Sequence, residues 1–191
     1  MLTYCSAQEA NLVRGQGAAH DERRSAIVEA VFALVDAGGV DQVTVRRVAD
    51  RAGVSIGRVQ HYFPTKDDLL RAASVAINER GTQRVQERAT GGDPGDVLRA
   101  VLSVLIPRDE DERRLFRIQQ SFETYALTNP ELAEHLKQGY TDLAALFTLL
   151  LGSTEAEGHQ LLATSIGLAT LVLTNTITPA QADNILATEL A

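Results

Sequence analysis

The residues suited to chemistry gather in two stretches. Residues 44–66 read TVRRVADRAGVSIGRVQHYFPTK and carry four arginines, one lysine, Gln60, His61 and Tyr62. Guanidinium, amide, imidazole and hydroxyl groups at this density can grip phosphates and read base edges. The second stretch offers Phe116, Gln119, Gln120, Glu123 and Leu127, then Tyr140, Ala144 and Phe147. Leu168 extends the same wall further along the chain. An apolar wall holding a few polar groups is the composition of a small-molecule site. Glu123 suits a cationic or donor-rich ligand, with an ion pair or plain exposure as its alternatives. Core packing is the alternative for Tyr140 and Phe147. Nothing else reads as a reactive centre. His20, His61, His135 and His159 lack metal-ligand spacing, and Glu131, Glu134 and His135 read as an ordinary helix face. No phosphate loop, nucleophile elbow or dinucleotide fingerprint occurs. No metal, no cofactor and no enzymatic activity are therefore expected.

Helices must position these groups. Apolar residues recur at helical spacing and no stretch alternates as a strand would. The first 20 residues lack sustained periodicity and contain Gly15 and Gly17, so a flexible arm is expected, with Arg14 within reach of a DNA groove as the sharper reading. A first helix is predicted over 21–37, with Ile27, Val31, Phe32 and Val35 inward and Gly38-Gly39 as its stop. A short second helix follows Thr44, and Ser55 caps a third that runs to Tyr62. Thr65 and Asp68 have the spacing of reciprocal caps and open a long fourth helix toward Arg88. Asp93-Pro94, Asp109, Asn129-Pro130, Thr154 with Glu157, and Thr178 with Gln181 open five more. The expectation is an all-α chain of about nine helices. It divides into an arm (1–20), a helix-turn-helix domain (21–66) and a larger C-terminal domain (67–191).

In the helix-turn-helix, Val45, Val48, Ala49, Ala52, Val54, Val59 and Phe63 are the inward positions. That leaves Ile56, Gly57, Arg58, Gln60, His61 and Tyr62 facing outward from the third helix, with Ile56 suited to a thymine methyl. Lys66 lies in a first helical turn, where the macrodipole disfavours a cation by ~0.3–1 kcal/mol. A docked phosphate would reverse that sign; neutralisation by Asp67 and Asp68 is the alternative.

The pattern Thr44…Arg46-Arg47-Val48-Ala49…Ala52-Gly53-Val54-Ser55-Ile56-Gly57-Arg58-Val59…His61-Tyr62-Phe63…Lys66…Leu69 resembles the tetracycline-repressor (TetR) family of bacterial transcription regulators. The resemblance implies that Thr44 caps the second helix and binds a phosphate, and that Arg46 reaches a base edge. It also implies that Ser55, Ile56 and Gly57 begin the base-facing surface. Arg58, Gln60, His61 and Tyr62 would share base and phosphate contacts, and Lys66 would hold a phosphate. Gln60 and Tyr62 depart from the tyrosine and histidine common at those positions. Residues 106–114, 129–132, 167–169 and 178–179 loosely resemble the choline-responsive repressor subgroup. The implied activity is that of a ligand-responsive repressor on a palindromic duplex. A DNA-architectural protein without effector, or a helical enzyme with a borrowed helix-turn-helix, are the rival readings.

Charge agrees with a duplex as partner despite a net charge of −7. Residues 1–90 are net +1 and residues 91–191 net −8, so the front of the chain would meet a polyanion first. The eighth helix and its exit carry no Asp, Glu, Lys or Arg from Gly158 to Ala182. Pairing of the eighth and ninth helices with a second copy would cover it, making a homodimer. Cys5 is the single cysteine, and the first ten residues carry Glu9 but no Lys or Arg. A cytoplasmic protein without a membrane span is expected. Replacing Arg46 with Ala should cost ~1–3 kcal/mol of duplex binding and relax preference at one base pair. Lys66→Ala should weaken all duplexes alike and lower the salt slope by about one. Anisotropy titrations with cognate and scrambled duplexes check both.

Overall fold

The computed structural model describes residues 5–190, and the side chains of residues 20–190. Among them are nine α-helices, one 3-10 turn and no strand. The elements are α1 (Cys5–Gly38), the 3-10 turn (Val40–Gln42), α2 (Val45–Ala52), α3 (Ile56–Tyr62), α4 (Lys66–Arg88), α5 (Pro94–Leu105), α6 (Glu110–Ala126), α7 (Pro130–Leu151), α8 (Glu155–Leu173) and α9 (Pro179–Glu189). Helix α1 begins 16 residues before the expected start at Asp21. It takes in most of the stretch read as an arm; residues 1–4 and the Arg14 side chain lie outside what is described. Gly15 and Gly17 each cost a helix about 1 kcal/mol. Their neighbours Ala10, Leu12, Arg14, Gln16 and Ala18 are mostly strong helix formers, and these outweigh the two glycines.

The caps fall where side-chain chemistry requires them. Thr44, Ser55, Asp93, Asp109, Asn129, Thr154 and Thr178 each accept a backbone N–H from the first turn of the helix they precede. Thr154 with Glu157 and Thr178 with Gln181 form full capping boxes. Asp68 accepts from the Thr65 backbone and hydroxyl, at 3.2 and 2.8 Å, and its own N–H donates back to Thr65 Oγ1 at 3.0 Å.

The chain divides into two compact units, Met1–Ala73 and Ser74–Ala191, seven residues beyond the boundary expected at Lys66. The first turns of α4 belong with the helix-turn-helix because Leu69, Leu70 and Ala73 are buried apolar residues. In the first unit α1 packs on α2, and α2 on α3. Ile27, Val31, Phe32, Val48 and Val59 are fully buried.

The second unit is built round α7 and α8, its most extensively packed pair. Its core gathers Leu98, Val101, Leu102, Ile106, Ala144, Phe147, Leu161, Leu168, Ala169 and Val172. A Cβ at Gly158 would lie 2.6 Å from the Ala144 carbonyl oxygen and closer still to Thr148 Oγ1. Glycine is thus what lets the α8 backbone reach α7. Gly158→Ala should destabilise the fold by ~1–3 kcal/mol through overpacking. Gly81→Ala on α4, where a Cβ meets nothing within 4 Å, should not. Denaturant melts of both variants test the contrast.

Candidate nucleic-acid interface and small-molecule site

The helix-turn-helix is held by local bonds that leave its outer surface bare. Thr44 Oγ1 accepts the Arg47 N–H at 3.2 Å and starts α2. Gly53 ends α2 in the left-handed region at φ 67°, its N–H directed at the Ala49 and Asp50 carbonyls. That conformation favours glycine and turns the chain into α3 within three residues. Ser55 Oγ then accepts the Arg58 N–H at 3.2 Å. Val48, Ala49, Val59 and Phe63 are buried, whereas Val45, Ala52 and Val54 are half-buried.

Most of the expected outer residues are exposed: Thr44, Arg46, Ser55, Ile56, Gly57, Arg58, Gln60 and His61. Ile56 shows 46% of its surface, unusual for an isoleucine with a core nearby. A Cβ added at Gly57 would meet no atom within 4 Å, so packing within the chain does not require glycine there. Lys66 is half-buried at the start of α4. Tyr62 departs from the expectation of an outward side chain. It is half-buried, its ring centroid 4.6 Å from that of His20 and 6.3 Å from that of Phe63. The α3 spacing gives no sign of this, because the covering group comes from α1.

In the second unit, α6 and α7 bring three of the nine expected small-molecule residues together. Tyr140 donates its hydroxyl to Glu123 Oε1, and Gln119 Nε2 donates to the same oxygen at 3.3 Å. All three residues are half-buried. Burial, then the hydrogen bond and charge of Glu123, push the Tyr140 phenol well above its ordinary value, so its proton stays on as a donor. Gln119 Oε1 is buried and has no hydrogen-bond partner. An acceptor in that condition is worth an appreciable free energy to a donor that reaches it.

The other six have different surroundings. Ala144, Phe147 and Leu168 are buried in the core, and Phe116 packs against it. Gln120 Nε2 is engaged across to Thr170 Oγ1 on α8 at 3.1 Å. Leu127 does not join the cluster: it caps the C-terminus of α6 and is 85% exposed. Its backbone keeps helical dihedrals at the C-cap, yet its side chain faces solvent. An open groove of about 340 Å³ lined by Val75, Asn78, Glu79, Thr82, Gln83 and Gln86 of α4 went unread in the sequence, since most of its walls are the aliphatic stems of residues that read as polar. Asn78 Nδ2 lies 3.7 Å from where a Cβ of Gly139 would sit, so this groove adjoins α7 one residue before Tyr140.

Residues 27–73 match the description "Bacterial regulatory proteins, tetR family", and residues 94–191 match "BetI-type transcriptional repressor, C-terminal". The chain belongs to the TetR family, with a BetI-type C-terminal half. Its relatives include the HTH-type transcriptional regulator PksA of Bacillus subtilis, 31% identical over 56% of this chain and 53% of that protein. The regulator BetI of Stenotrophomonas maltophilia is 35% identical over 58% of each. The chain thus spans little more than half the length of these curated relatives. Among solved structures, a transcriptional regulator from Rhodococcus sp. Rha1 is 31% identical with a TM-score of 0.77, covering 87% of this chain and 93% of that one. A regulator from Saccharomonospora viridis, solved with choline, shares the fold at 19% identity, with a TM-score of 0.75 over 88% of this chain and 95% of that one.

Among the described residues no group of three or more His, Cys, Asp or Glu is set to hold a metal ion, and no helix is long and apolar enough to cross a membrane. The vacant space at Gly57 gives the interface a separable signature. Gly57→Ala should leave the fold as stable as before, or up to about 1 kcal/mol more stable through helix propensity. The same change should weaken duplex binding, because a methyl group would stand where a base or phosphate must approach. Thermal melts and duplex titrations on one sample read the two effects.

Proposed function

We propose that the protein is a homodimeric repressor that reads a palindromic DNA duplex and releases it when a small effector binds. The carrying observation is the exposed start of α3, from Ser55 to Gln60, with room left at Gly57, in a chain of the TetR family. Thr44, Arg46, Ser55, Ile56, Gly57, Arg58, Gln60 and His61 form its reading surface, Tyr62 closes its far end, and Lys66 holds a phosphate. Each subunit puts α3 in a major groove, so half-site centres lie one turn, ~34–36 Å, or a multiple apart. It acts in the cytoplasm by binding rather than by turnover.

The dimer forms through α8 and α9. Ala163, Gly167 and Leu171 repeat every four residues on α8 and are all exposed, and Ile185 of α9 is 45% exposed. A helix that carries such a stripe and no charge from Gly158 onward calls for an apolar partner, and its own copy supplies one by two-fold symmetry.

The effector engages Gln119, Glu123 and Tyr140. Two acceptors, one of them a carboxylate, favour a cation that carries hydrogen-bond donors. The choline complex of the Saccharomonospora viridis regulator supports an ammonium compound of this kind. The effector loosens the protein from DNA only by binding the released form more tightly than the DNA-bound one.

Selection from a random duplex pool should recover an approximate palindrome, and addition of ammonium compounds should release it from wild type but not from Glu123→Gln. Leu171→Arg should sediment as a monomer and lose operator binding. Recovery of no preferred sequence would count against the reading.

A further inference from the structure

The Gln119–Glu123–Tyr140 cluster carries an inference about which cations it takes, and this inference rests on the effector reading above. The hydrogen bonds inside the cluster converge on one atom. Tyr140 gives its hydroxyl proton to Glu123 Oε1, and Gln119 Nε2 donates to the same oxygen at 3.3 Å. The Gln119 amide also stands against the Tyr140 phenol. The tyrosine hydroxyl and the amide nitrogen are thus both engaged within the group. Turning the amide over would set two acceptors face to face, so the Gln119 carbonyl is held on the side away from Glu123 Oε1. That carbonyl oxygen is buried and accepts no hydrogen bond. Buried acceptors in native proteins nearly always have a partner. What the cluster leaves open is therefore acceptor capacity: Gln119 Oε1, and the second oxygen of Glu123, which takes part in neither bond.

We propose that Gln119 sets the class of effector, admitting cations that carry N–H donors and discriminating against quaternary ammonium compounds. A primary ammonium brings a positive charge and three donors, enough to answer both open acceptors at once. A trimethylated nitrogen brings the charge and no donor, so seating it beside Gln119 leaves the buried oxygen unpaired. Such a nitrogen is held by aromatic faces instead. Phe147 is buried in the core and Phe116 packs against it, which leaves Tyr140 as the ring of the hydrogen-bonded group. Size acts in the same direction. Gln119 Oε1 is covered in the free protein, and a compact head displaces less than a trimethylated one to reach it.

The test is a calorimetric titration of the full-length protein at about pH 7 with hexylammonium and with hexyltrimethylammonium, both of them cations there. The two share a tail and a charge and differ in N–H against N-methyl. Hexylammonium should bind at least about five-fold more tightly, the equivalent of one buried acceptor satisfied. The added methyl groups bury more apolar surface, so apolar contact alone gives the reverse order. Gln119→Met keeps the length of the side chain and removes the acceptor. It should bring the ratio of the two affinities close to one, and a thermal melt checks its fold. The wild-type comparison stands without the variant. Equal affinities for the two salts, tighter binding of the quaternary one, or an unchanged ratio in Gln119→Met would overturn the proposal and leave the effector site in place. A wild-type protein that binds neither salt overturns the assignment of the effector to this cluster, and this proposal with it.

Discussion

A single buried carboxylate organises the second unit. Glu112 is 5% exposed, on the first turn of α6. It pairs with Arg88, the last residue of α4, and accepts the Arg108 backbone N–H at 2.8 Å. Arg88 also donates to the Ser103 carbonyl at 2.6 Å, which draws in the end of α5. Arg108 reaches on to Asp183 of α9 through two bonds of 2.9 and 2.7 Å. Four helices thus meet at one carboxylate and its two arginines. A buried pair of this kind adds little net stability against an apolar replacement. Losing one partner, however, would strand a charge at a cost of ~3–5 kcal/mol. The network consequently acts as a fixed geometry: either all of its members are in register or the unit is strongly destabilised.

That rigidity matters for the cluster on the same helix. Glu112 lies on the first turn of α6 and Glu123 on its last. Arg113 secures α6 to the exit of α8 by donating to the Val172 carbonyl at 3.1 Å, and Gln120 ties it to Thr170. Bonds of this kind hold α6 in place beneath the Gln119–Glu123–Tyr140 group. On this helix the buried Gln119 Oε1 is left without a hydrogen-bond partner.

The fold was legible because its punctuation is chemical. The starts of α2 to α9 follow from side chains that cap or from prolines at first turns, and these act locally whatever the tertiary structure. The inward face of the helix-turn-helix was equally readable, since small and β-branched residues recur at helical spacing from Val45 to Val59. What stayed hidden depended on long-range contact or on weak local signals. The beginning of α1 carries two glycines, so periodicity marked only its later turns. The break between units falls inside α4, where helical spacing is uninterrupted. Tyr62 reads as outward on its own helix, yet the His20 ring of α1 lies against it. Glu123 and Tyr140 stand out in the sequence because each fits a face of its helix, and the fold brings the two together. Leu127 stands apart from them, exposed at the C-cap of α6.

The empty space around Gly57 has a consequence for how such a protein changes over time. Ile56, Gly57, Gln60 and His61 are all solvent-facing, so substitutions there are nearly free of folding cost. The caps at Thr44 and Ser55 and the turn at Gly53 carry the architecture instead. Under the proposed function, base preference would rest largely on residues that do not hold the fold, with Thr44 and Ser55 serving both. Descendants of this chain can drift to new binding sequences without first acquiring compensating mutations, and the scaffold beneath can stay as it is.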